Sequence, residues 1–214
     1  MHSNIMIHQC PVDNINGLIP LLGVFLGFLL GLLGEPIKRL LFKPVLDIDI
    51  DMMARDCCHL TYRSDRVPVY YFRFRVTNLT KYIKAESVEV LVSEIFEKKD
   101  GKFFKKNDFM SLNLKWSYYD KKSKTKIQPT LSRFLDFGYI DDARGIVSNF
   151  CLETLFKPNN ATSILSPGEY KIKIVLIANG ADPMSKEYSL IFNGKWDINE
   201  EKMLSENIFI SEIK

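Results

Sequence analysis

Eighteen consecutive residues, Gly17 to Gly34, carry no charge and no strongly polar side chain (GLIPLLGVFLGFLLGLLG). Wound as a helix they rise about 27 Å, close to the roughly 30 Å of a bilayer's hydrocarbon core. A backbone in lipid must satisfy its own hydrogen bonds, and a helix does so. The run is apolar on every face, so a helix packed by one stripe against a globular core does not account for it. A cleaved signal peptide needs positive charge before its apolar stretch and small residues at a cleavage site after it. Residues 1–16 contain no Lys or Arg, and the run ends Gly34-Glu35-Pro36. A hairpin dipping into one leaflet, broken at Pro20, is the competing arrangement. The sequence thus predicts a short tail over 1–16 and a single transmembrane helix over 17–34.

Flanking charge gives an expected orientation. Lys38, Arg39 and Lys43 follow the run, and no Lys or Arg precedes it. The positive-inside rule then places the basic linker 35–43 and everything after it in the cytoplasm, beneath the cell membrane. Within the run, Gly23, Gly27 and Gly31 recur every fourth residue. That spacing puts them on one helix face, where small residues let two helices approach closely. Self-association of the span through these glycines is therefore expected.

From Pro44 the pattern changes to period two. Leu46-Asp-Ile-Asp-Ile-Asp51 alternates strictly, and Val69 to Val76 sets Tyr70, Phe72, Phe74 and Val76 on one face against Arg73 and Arg75 on the other. Such alternation marks half-buried strands. Further strands are expected over 87–96, 112–119 around Trp116, 131–137, 150–156, 169–178, 188–192 and 208–213, with a short helix near 199–205. Asp100-Gly101 is a hairpin signal. Strands without long amphipathic helices between them predict an antiparallel β-sandwich over 44–214.

Phe72-Arg-Phe-Arg-Val-Thr-Asn78 followed by Ala85-Glu-Ser-Val-Glu-Val-Leu91 resembles a strand–turn–strand of prokaryotic immunoglobulin-like modules. Leu165-Ser-Pro-Gly-Glu-Tyr-Lys-Ile-Lys-Ile174 resembles a late strand of the same folds. The whole chain is similar to uncharacterised prokaryotic proteins with one N-terminal span and such a sandwich. The resemblance implies a mainly β, immunoglobulin-like architecture and transfers no functional residue. It departs from antibody-type domains, because Cys58 and Cys151 do not flank a central Trp in their order.

Catalytic signatures are missing from the sequence. There is no phosphate-binding glycine loop and no Cys-x-x-Cys metal spacing. Cys10, Cys57, Cys58 and Cys151 read as free thiols in a reducing compartment; a bridge from Cys151 to Cys57 or Cys58 would require the opposite topology. His59, the one histidine after residue 8, lies beside Cys58 and reads as a structural residue rather than a metal ligand. Asp47, Asp49 and Asp51 share one strand face, as a solvent-facing row or part of a hard-cation site. Asp136, Asp141 and Asp142 form a second acidic group. Residues 98–126 hold Lys98, Lys99, Lys102, Lys105, Lys106, Lys115, Lys121, Lys122, Lys124 and Lys126 against Asp100, Asp108 and Asp120, a surplus of seven positive charges that leaves the rest of the chain net negative by four. Such loops suit an anionic partner such as lipid headgroups. They lack Arg, which argues against nucleic acid.

These readings converge on a non-enzymatic binding or scaffolding protein. It would need no cofactor or metal and would present a sandwich to a protein partner at the inner leaflet. The competing reading is a membrane effector whose sandwich senses a signal and whose span oligomerises.

Overall fold

The structure is a computed structural model that describes residues 22–34, 43–118, 122–142, 147–157 and 163–213. The chain divides into two units, Met1–Lys43 and Pro44–Lys214.

In the first unit a helix, α1, covers residues 22–34. It corrects the expectation of a transmembrane helix over 17–34. Thirteen residues rise about 20 Å, well short of the roughly 20 residues that a span needs. Among the described residues no helix is long and apolar enough to cross a membrane. Residues 17–21, with Pro20, and the cations Lys38 and Arg39 lie outside the described residues. The apolar side chains of α1 are exposed, from 48% at Leu33 to 74% at Val24, except Leu29, which is half-buried.

The second unit is mainly β, as the alternation predicts. Its strands are β1 (Leu46–Asp49), β2 (Cys58–Tyr62), β3 (Pro68–Asn78), β4 (Ala85–Lys99), β5 (Lys102–Lys105), β6 (Leu112–Asn113) and β7 (Lys115–Trp116). They continue with β8 (Thr125–Ile127), β9 (Ser132–Asp141), β10 (Phe150–Leu152), β11 (Ile164–Leu165), β12 (Gly168–Asn179), β13 (Met184–Phe192) and β14 (Ile208–Ile213). One antiparallel sheet runs β1-β3-β9-β10-β11, with β2 also on β3 and β7 on β9. The other runs β14-β13-β12-β4-β5, with β6 and β8 also on β4. A single apolar core between them joins Ile48, Phe72, Phe74 and Leu135 of the first sheet to Val90, Ile172, Ile174 and Leu190 of the second.

Local chemistry explains the turns. The β4–β5 hairpin closes through Asp100 and Gly101, both at positive φ (50° and 77°), the backbone an Asp-Gly two-residue turn supplies. Asn78 ends β3 fully buried: its amide donates to the Ile83 and Ile127 carbonyls and its oxygen accepts from Thr80. The sequence holds two glycan-acceptor patterns, Asn78-Leu-Thr80 and Asn160-Ala-Thr162, and burial makes the first structural. Asn199 caps a three-residue helix, α2 (Glu200–Lys202), by accepting from the Lys202 amide at 3.1 Å. A π turn, Met203–Asn207, carries the chain into β14.

Two expected strands are rearranged. The stretch 112–119 is not one strand: β6 pairs with β4 in the second sheet, and β7 pairs with β9 in the first. The chain changes sheets at Leu114, whose amide donates to the Val90 carbonyl at 2.9 Å. The strand expected over 131–137 continues to Asp141 through a bulge. Phe72 faces Gly138 while Arg73 faces Asp136, so Phe137 has no partner on β3. Phe137 and Gly138 both turn inward, and the alternation reverses beyond them.

Candidate functional site

The bulge in β9 builds a side-chain row on the outer face of the first sheet. Its reversed phase turns Tyr139 outward and Ile140 into the core. Tyr139 thereby stands opposite Tyr71 on β3 and Cys151 on β10, and Tyr71 stands opposite His59 on β2. Directly opposed residues of neighbouring strands share a sheet face. The result is a continuous rank, His59–Tyr71–Tyr139–Cys151, across four strands. Ring centroids lie 6.5 Å apart for His59 and Tyr71 and 5.7 Å apart for Tyr71 and Tyr139.

Arg73, two residues along β3, flanks the rank. Its Nε donates to Asp136 Oδ1 at 3.0 Å, and Ser117 Oγ donates to the same oxygen at 2.6 Å. The guanidinium carbon sits 6.0 Å from the Tyr71 ring centroid and 5.4 Å from that of Tyr118. Tyr118 is 86% exposed. On the far side Lys157 Nζ lies 6.0 Å from the Tyr139 ring. Cations over aromatic faces at these distances are attracted by the ring quadrupole. Arg73 is therefore held in one orientation before any partner arrives.

The titratable groups of the rank resist ionisation. Burial lowers the His59 pKa, and the Arg73 charge adds to that. Its Nδ1 is sealed from solvent without a hydrogen bond of ordinary length, although the Arg55 carbonyl lies near enough to favour the protonated ring. Burial pushes Tyr139 up to about 12. Burial, followed by the Asp141 charge, raises the Cys151 thiol. A protonated thiol and phenol beside a neutral imidazole suit contact rather than nucleophilic chemistry.

Other residues singled out in the sequence have local partners. Asp47 meets Lys186 at 2.8 Å, Asp49 accepts from both Nε and Nη2 of Arg75, and Asp51 accepts from the Met53 amide at 2.9 Å. The acidic row is thus answered by one partner per carboxylate. Asp136, expected in a surface acidic group, is 8% exposed beneath Arg73, whereas Asp141 pairs with Arg63 at 3.4 Å. Cys57 and Cys58 are buried free thiols, and Cys151 is a half-buried one. Cys10 and Asn160 lie outside the described residues.

The lysine-rich loops meet glutamates. Lys98 pairs with Glu169 at 2.6 Å, Lys99 and Lys106 with Glu97 at 3.1 and 3.7 Å, Lys124 with Glu89 at 3.1 Å and Lys126 with Glu86 at 3.7 Å. Lys105 pairs with Glu94. Four of these acids stand along β4, the strand that carries β5, β6 and β8 on one edge. Exposed pairs of this kind add about 0–1 kcal/mol each to stability, but they mute the positive surplus that the sequence suggests. Lys121 lies outside the described residues. On α1, a Cβ added at Gly23, Gly27 or Gly31 would meet open space.

Sequence reasoning missed the aromatic rank because its outer members sit on short strands and Tyr139 sits beyond a bulge. β2 is short and mixed in composition, and β10 has three residues. Tyr139 lies beyond a bulge that simple alternation places it on the wrong side of. The usable signal was Gly138 between two aromatics, because glycine inside a strand marks a bulge or a close approach. Compared with protein-family models and with curated proteins, the chain matches none.

Proposed function

We propose that this chain is a non-enzymatic binding protein that presents the outer face of its first sheet to a protein partner. The observation that carries the reading is the rank His59–Tyr71–Tyr139 with Arg73 fixed beside it by Asp136 and Ser117. Tyr and Arg are the residues that dominate protein interfaces. A guanidinium already held in place loses little entropy on binding. The opposed charges of Arg63, Arg73 and Lys157 against Asp141 and Glu153 favour a mixed protein surface over a polyanion. A photoreactive residue at the exposed position of Tyr118 tests this. A discrete adduct, lost when Arg73→Ala or Tyr139→Ser is introduced into the same chain, supports it. An adduct indifferent to both variants refutes it.

The reading includes membrane association through α1 without a crossing. A protein surface buries one stripe of a helix, whereas acyl chains surround it. The exposure of every apolar side chain of α1 but Leu29 therefore suits lipid, with the helix held in the acyl layer of one leaflet. The cations Lys38, Arg39 and Lys43 in the following sequence suit anionic headgroups. Flotation with phosphatidylserine-containing vesicles is expected for the full chain and is expected to fail for the double variant Leu26→Asp, Phe28→Asp. Equal flotation of both refutes the anchoring role of α1.

A further inference from the structure

A cleft of about 770 Å³ opens between Asp142, Val147 and Ser148 on one side and the β13–β14 connection on the other. That is within the range of small-ligand sites, about 300–1,000 Å³. Its walls include Ser148, Lys195, Trp196, Glu206 and Asn207.

The cleft is firmly framed. Gly194 sits at φ +81°, and a Cβ there would meet Pro167 Cγ at 2.5 Å and Val147 Cγ1 at 2.8 Å. The Ser148 amide donates to the Gly194 carbonyl at 3.0 Å and ties the two sides together. Asn193 is fully engaged: its amide donates to the Glu206 carbonyl and to Asn207 Oδ1, and its own Oδ1 accepts from the Lys195 amide. The wall carrying Glu206 and Asn207 is the π turn, a local geometry found frequently at functional sites.

Among the described residues, two donors in this frame have a weak acceptor or none. Asn207 is 6% exposed, and its Oδ1 accepts from Asn193 Nδ2 at 2.9 Å, which fixes which way the amide points. Its Nδ2 then meets only the Met203 thioether, at 3.9 Å, a weak acceptor. The Trp196 indole N–H is sealed from solvent and has no partner among the described residues. Buried polar groups are bonded in the great majority of cases, and a buried Trp N–H usually finds a partner.

The charges select among ligands. Asp197 and Lys202 satisfy each other at 2.8 Å, and Asp142, also in the wall, has a contact of its own; among the described lining residues this leaves the Lys195 ammonium and the Glu206 carboxylate, of opposite sign. A strongly anionic ligand is opposed by Glu206 and a strongly cationic one by Lys195. Vicinal hydroxyls both donate and accept, so they can use the ammonium, the carboxylate and the Asn207 amide together. The C–H face of a pyranose suits the indole wall. We infer that this cleft is a binding site for a neutral carbohydrate of about two sugar rings, the scale its volume sets.

An array of neutral glycans probed with the full chain, followed by titration of the best hit, tests the inference. The chain has two tryptophans. Trp116 is 1% exposed and bonded to the Ser123 carbonyl, so a ligand-dependent emission change reports Trp196. The expected result is saturable binding that persists in Trp116→Phe and weakens at least tenfold in both Lys195→Gln and Glu206→Gln. Both variants alter exposed side chains, and unchanged circular dichroism confirms that they fold. Three results overturn the inference: no saturable glycan binding, binding unaffected by both variants, or inorganic phosphate or free glutamate binding more tightly than every neutral glycan.

Discussion

Tyr188 holds the two sheets together by one hydrogen bond whose cost can be worked out. Its hydroxyl donates to the Ile48 carbonyl at 2.8 Å, from β13 of one sheet to β1 of the other. The register explains why that carbonyl is available. The Leu79 amide donates to the Val45 carbonyl at 2.8 Å, so 45/79, 47/77 and 49/75 are the hydrogen-bonded pairs of β1 and β3. Ile48 falls between them, and its carbonyl points away from β3. Both residues are 1% exposed. Tyr188→Phe keeps the ring, which lies 4.7 Å from the Phe74 centroid, and strands one buried acceptor. The expected loss is about 1.5 kcal/mol, within the range for an unsatisfied buried group. With a urea slope of about 2 kcal/mol/M, the unfolding midpoint read by tryptophan emission falls by about 0.7 M at unchanged slope. Tyr188→Ala adds a cavity, and the loss rises to about 4 kcal/mol. A Phe variant within about 0.5 kcal/mol of the wild type would refute the reasoning, because that is the spread expected of a change that touches nothing important.

Asp136→Asn leaves the Arg73 guanidinium beside a neutral amide in a pair whose side chains are 16% and 11% exposed; a loss of about 3 kcal/mol is expected in the same urea assay, and an unchanged midpoint would show that Arg73 is not held by charge. Gly138→Ala would place a Cβ 2.5 Å from Phe150 Cε1 and 2.6 Å from the Cys151 carbonyl oxygen; the melting temperature is expected to drop by the equivalent of about 2 kcal/mol, and an unshifted melt would refute the close packing. Burial raises Tyr70 and Tyr188 above the usual phenol range and pushes Tyr139 and Tyr170 up to about 12. Below about pH 10 these phenols are protonated in both folded and unfolded chains. Above it the unfolded chain loses protons that the folded one keeps, so stability is full below pH 10 and declines as pH rises further. Urea melts across that range check the sign, and a midpoint that holds or rises at high pH would refute it.

Alternation by itself determined most of the sandwich. In β3 and β12 every second side chain is buried as the sequence reads, because a strand with one face on a core has no other way to sort apolar from charged residues. Asp100-Gly101 likewise acted as read, since its role is set by backbone geometry within a few residues. What alternation cannot say is which sheet a strand joins. Leu112, Leu114 and Trp116 are all buried in period two, yet the chain passes from the second sheet to the first between them, because both sheets face the same core. Nor does it register a bulge, so Tyr139 and the aromatic rank emerged only from the pairing of β3 with β9. Hydropathy marked 17–34 as unusual but did not set the length of helix, which stands at 22–34 among the described residues. The lysine loops show the same limit: their surplus is a sum over sequence, and cross-strand pairing with the glutamates of β4 decides how much of it faces outward. Local conformation follows from neighbours in the chain, whereas partners across strands are chosen by the closure of the whole sandwich.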